Sequence, residues 1–116
     1  MTDRPLVAYK VLTADQMHAL EADTFAGAPV DLADGYIHLS TAAQLTETVD
    51  KHFAGQTDLS VAAIDLEALG GAVKWEESRG GALFPHIYGA MPLEIVIAYG
   101  PLERDDDGTV RLPVAG

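Results

Sequence analysis

The chain has 116 residues, 18 of them acidic and 7 basic, giving a formal net charge of -11, with 48% hydrophobic residues and no cysteine. That length suits one domain, residues 1–116, with one proper core. The charge argues against a nucleic-acid surface, which needs clustered Lys and Arg, and the missing cysteine excludes disulfides, thiolate catalysis and Cys-type zinc sites.

In chain order, Met1-Thr2-Asp3-Arg4-Pro5 lacks the charged-then-apolar pattern of a signal. No apolar run approaches the roughly 20 residues needed to cross a bilayer, so the expectation is a cytoplasmic protein without membrane contact. Residues 6–12 read as a first strand, apolar on both faces apart from Lys10. Thr13 and Gln16 have capping-box spacing, which predicts a helix to about residue 23 that buries Met17 and Leu20. Residues 25–34 read as a loop bearing Gly, Pro and Asp, long enough to cover a site.

Residues 35–39 form the second predicted strand. Thr41 and Gln44 repeat the capping-box spacing, and Leu45, Val49 and Phe53 make one stripe of a helix that Gly55 ends. Residues 59–66 are nearly all apolar, as in a central strand buried on both faces. Strands are expected at 73–77, 83–88 and 93–99, with a closing edge strand at 109–112 beyond the acidic turn 105–108. The order predicts an α+β fold, a mostly antiparallel sheet assembly with two main helices, and not a doubly wound parallel sheet.

Two stretches carry the candidate chemistry: Gly35–Thr41 and Phe84–Gly89. In extended chain, residues two apart share a face, so Tyr36 and His38 point one way and Ile37 and Leu39 the other. Phe84, His86 and Tyr88 likewise share a face. If the strands are neighbours, two His–Tyr pairs line one surface, His38 and His86 serving as polar contacts and Tyr36 and Tyr88 as stacking rings. The bland alternative is a pair of hydrogen-bonded strand histidines among packed aromatics. Pro85 predicts a strand edge.

Ser40 and Thr41 start a helix whose free N–H groups favour an anion, although for Thr41 capping alone is the simpler role. Trp75 is expected in the core, with Glu76 on the opposite face, either solvated or steadying positive charge. Lys10 reads as a snorkelling edge lysine or an anion contact, and Arg79 in its glycine loop is similarly ambiguous. His18 and His52 are expected at the surface. A metal site of His38, His86 and a carboxylate ranks below a small organic anion, because no two histidines have local metal spacing.

With its G-Y-I-H-L-S-T, W-E and F-P-H-I-Y-G segments, the sequence resembles a bacterial family of unknown function, domain of unknown function family 952. The segments are Gly35–Thr41, Trp75-Glu76 and Phe84–Gly89, and the resemblance spans nearly the whole chain. More distantly, His38 and Ser40 with Ile64-Asp65-Leu66 are similar to the RNA 2′-phosphotransferase branch of the ADP-ribosyltransferase-like fold. That resemblance implies a split pair of β-sheets with few helices, and NAD as ligand with a histidine on its ribose. The branch's first-strand histidine is replaced here by Tyr9-Lys10.

Two expectations follow. The first is an enzyme acting on NAD or another ADP-ribose compound: His38 and Ser40 hold the ribose, Tyr36 or Tyr88 stacks on nicotinamide, and Glu76 and His86 orient ribose or acceptor. Thr41, Lys10 and Arg79 complete its candidate ligand contacts. The second is a non-catalytic module on the same fold, binding a small ligand or a protein.

Overall fold

The computed structural model describes residues 5–77 and 81–113. Its elements are β1 (Val7–Leu12), α1 (Ala14–Glu21), α2 (Pro29–Asp34), β2 (Ile37–His38), α3 (Ala42–His52), β3 (Ser60–Asp65), α4 (Leu66–Leu69), β4 (Val73–Glu77), β5 (Leu83–Ile87) and β6 (Val96–Pro101). They form an α+β fold with two antiparallel three-stranded sheets, ordered β1-β3-β6 and β2-β5-β4.

β3 is the central strand of the first sheet, and its near-continuous apolar run is buried on both faces. Ala62 and Ile64 face a core shared with Ala8, Leu12, Leu20, Ile37, Leu39 and Ile87. Val61 faces the other way, with Val11, against Leu45 and Val49 of α3. Burying both faces lets so short a sheet anchor two packed layers.

Both expected capping boxes form. Thr13 and Thr41 accept from the N–H of Gln16 and Gln44, whose side chains return to the Thr13 and Thr41 N–H groups. Each box satisfies two N–H groups that the first helical turn leaves without partners.

β2 ties the sheets together. Ile37 and His38 pair with β5, while two residues on Ser40 pairs with Tyr9 of β1. The Leu39 N–H donates to the Pro85 carbonyl, at the end of the β2–β5 pairing. Pro85 therefore lies on a central strand, not on the edge its residue type suggested. Its missing N–H faces Leu39, so that pair keeps only the bond from the Leu39 N–H to the Pro85 carbonyl, at the end of β2, and no bond to β4 is lost.

Two further expectations fail. The loop assigned to 25–34 contains α2, framed by Pro29 at its first turn and Gly35 in the left-handed conformation (φ 86°) at its end. The closing edge strand at 109–112 is only a bridge between Arg104 and Val110, flanked by single backbone bonds from Asp105 to Thr109 and from Arg111 to Glu103 around the tight turn Asp105–Gly108.

Candidate functional site

Strand register brings the two histidine segments together. His38 stands opposite His86 across β2–β5, and His86 stands opposite Lys74 across β5–β4. Side chains alternate across each strand. Ile37, Leu39, Pro85 and Ile87 are therefore buried on one side, while Tyr36, His38, Lys74, Glu76, His86 and Tyr88 meet on the other. Tyr36 is the hub. Its ring lies 4.3 Å from the His86 ring in a stacked arrangement, 4.7 Å from His38 and 5.1 Å from Tyr88. The imidazole rings lie edge to face, 5.2 Å apart.

Behind His38 sits Asp31, whose carboxylate is fully engaged. Oδ1 accepts from the His38 backbone N–H (3.0 Å) and from Nδ1 (2.7 Å), while Oδ2 accepts from the Ala28 N–H and from Lys10 Nζ, both at 2.8 Å. Burial alone would push this carboxyl up. The Lys10 ammonium and the hydrogen bonds from His38 and Ala28 outweigh it and hold the group below the usual carboxylate range. Lys10 Nζ also donates to the His38 carbonyl at 3.0 Å. On the open side, Asp34 Oδ2 lies 3.0 Å from His38 Nε2. Carboxylates from α2 thus bracket the His38 ring.

Glu76 backs His86. Its Oε1 accepts from His86 Nδ1 and from the Tyr88 hydroxyl, each at 2.8 Å. Those two donors hold the Glu76 carboxyl below its ordinary range, and the bond to Glu76 pushes the Tyr88 phenol up to about 12. Lys74 Nζ sits 4.8 Å above the Tyr88 ring, a cation–π contact on the same face.

Of the residues singled out from sequence, Tyr36, His38, Glu76, His86 and Tyr88 come together. Lys10 does not join them. It is neither a snorkelling edge lysine nor an open anion contact, because its side chain lies on the core face of β1 and its ammonium is held by Asp31. Ser40 is buried and its hydroxyl is engaged by the Thr48 hydroxyl of α3 (2.8 Å). Thr41 caps α3. A separate cavity of about 110 Å³ beside the first turns of α3 is lined by Ala43, Gln44, Glu47, Thr48, Ala82 and Phe84. Arg79 lies outside the described residues. Among the described residues, no group of three or more His, Asp or Glu is arranged to hold a metal ion.

Sequence reasoning missed Asp31 and Asp34. A signal was present: an acid three residues after Ala28, with Pro29 between them and Gly35 beyond, has the spacing of a helix start whose acid returns to the preceding N–H. Ala28 has no side-chain oxygen, so only that returning half of a capping box exists.

Fold and site define a small α+β protein whose two sheets, joined through β2, carry a paired-histidine face backed by carboxylates. The chain belongs to the family described as "Protein of unknown function (DUF952)", matched over residues 11–99. It is similar to protein CC0527 of Caulobacter crescentus. The crystal structure of that protein is 44% identical, with a TM-score of 0.82 over 91% of this chain and 94% of that one. Its solution NMR structure is also 44% identical, with a TM-score of 0.76 over 91% of each chain. Among curated proteins nothing matches. No helix among the described residues is long and apolar enough to cross a membrane.

Proposed function

We propose that the face of Tyr36, His38, His86 and Tyr88 binds NAD or another ADP-ribose compound, on an ADP-ribosyltransferase-like arrangement of two sheets, and that the protein catalyses ADP-ribosyl or glycosyl transfer. The observation that carries this reading is the Tyr36 ring set against both imidazoles, at 4.7 and 4.3 Å, with the partly exposed Tyr88 beside it. Such a cluster offers flat surfaces for a ring and imidazole nitrogens for hydroxyls. We place this activity in the cytoplasm, where a chain without cysteine is indifferent to reducing conditions.

A thermal-shift titration with NAD, ADP-ribose and divalent metals tests it, on wild type and on His86→Ala and Tyr36→Ala. A ligand at a hundredfold over its Kd stabilises by about 2.7 kcal/mol. The expected result is stabilisation by a nucleotide that both substitutions abolish. No shift with either nucleotide would sink the reading.

A second reading, a non-catalytic binding module, is favoured by one observation. Glu76 Oε1 is already shared by His86 and Tyr88, so this oxygen is not free to steady a cationic transition state. Nucleotide-dependent stabilisation without nicotinamide release would select it.

A further inference from the structure

We infer that His86 is the proton acceptor of this face, presenting a lone pair at Nε2 to a hydroxyl or N–H group of the ligand, and that Glu76 is the positioning residue that makes it so. The inference rests on the reading of this face as a ligand site and adds to it the chemical sense of one contact.

Neutral imidazole carries one proton, on one of its two nitrogens. At His86 the Glu76 carboxylate, 2.8 Å from Nδ1, takes that proton as a hydrogen bond. A carboxylate has no proton to offer in return, so Nε2 is left as the acceptor. The Tyr88 hydroxyl donates to the same Glu76 oxygen and steadies it. The ring is otherwise fixed: it stacks on Tyr36, and its side chain is only 4% exposed. Among the described residues Nε2 has no hydrogen-bond partner and no buried side-chain nitrogen lacks one, so this atom reaches the surface.

His38 differs. Both its nitrogens lie against carboxylates, Asp31 at 2.7 Å and Asp34 at 3.0 Å. It offers the ligand no uncommitted lone pair, so the two histidines divide their roles. Asp34 and Glu76 outnumber Lys74 on this face, which disfavours a phosphate oxygen next to His86 and favours a hydrogen-bond donor. In a transfer reaction that donor is the attacking hydroxyl. Its oxygen bonds the electrophilic carbon, its proton passes to His86 Nε2, and the leaving group departs with the electron pair of the broken bond.

Long-range ¹H–¹⁵N correlation of the full ¹⁵N-labelled chain, at a pH where the imidazoles are neutral, reads the tautomer directly, and His86→Phe identifies the resonances. The expected result is protonated-type Nδ1 and acceptor-type Nε2 at His86, with the two types exchanging in folded Glu76→Ala. A merely structural Glu76 would not move that signature. Protonated Nε2 in wild type overturns the inference whether or not a nucleotide binds, and so does a Glu76→Ala spectrum identical to wild type. The expected tautomer with no response to NAD or ADP-ribose sinks the ligand class and leaves the proton-acceptor assignment standing.

Discussion

His38 and His86 face each other across one antiparallel strand pair, yet their side chains are 31% and 4% exposed. The difference comes from strand position. His86 lies on the central strand β5, between β2 and β4, whereas His38 lies on the short edge strand β2 beside α2. One imidazole is walled in, and the other sits in the open between two carboxylates.

The buried Lys10–Asp31 pair is expected to dominate stability around the site. Asp31→Asn leaves an ammonium without its counter-charge on the core face of β1, and breaking a buried pair on one side costs about 3–5 kcal/mol. Adding Lys10→Met removes the stranded charge and should recover much of the loss. Urea denaturation of the single and double variants checks this, and a double variant no more stable than the single would refute it.

Asp31 also sets part of the acid sensitivity. Its folded-state pKa is depressed, so the native state holds the proton less tightly than the unfolded chain. The resulting stability is fully present above the unfolded value of about 3.9 and is lost as pH falls through the lower folded value. Wild type should therefore lose more stability than Asp31→Asn over that acid window. Parallel slopes for the two proteins in denaturation against pH would show that Asp31 is not the group responsible.

The Tyr88 phenol, raised to about 12 by its bond to Glu76, should ionise later than a free tyrosine, which titrates near roughly 10. Glu76→Ala removes the acceptor and should return one phenol to the ordinary range. Burial also raises Tyr9, and its late titration should persist in the variant. Spectrophotometric titration of phenolate in the two proteins decides the point.

Two glycines frame α2 for different reasons. A Cβ on Gly35 (φ 86°) meets nothing within 4 Å, so Gly35→Ala carries only the left-handed backbone cost of about 1–2 kcal/mol. A Cβ on Gly27 (φ 128°) would lie 3.0 Å from Asp31 Cβ and push on the carboxylate behind His38. Gly27→Ala is expected to destabilise more than Gly35→Ala in thermal melts, and the opposite ranking would count against the packing argument.

Much of the scaffold was legible in the chain. Capping boxes at Thr13 and Thr41, the stripe of Leu45 and Val49, and the apolar run of β3 are local patterns, and each became the element it signals. Alternation likewise assigned Tyr36, His38, His86 and Tyr88 to one side of their strands, because side chains in extended chain alternate by geometry alone. Strand pairing is not local. Only the tertiary structure set His38 against His86, moved Pro85 onto a central strand and turned Lys10 into the core. It also found Asp31. Across 21 positions, a lysine in an apolar strand and an aspartate in a short Pro-started helix carry no mark of each other. They are joined because a buried ammonium requires a carboxylate, and chain topology alone decides which of the 18 acidic residues supplies it.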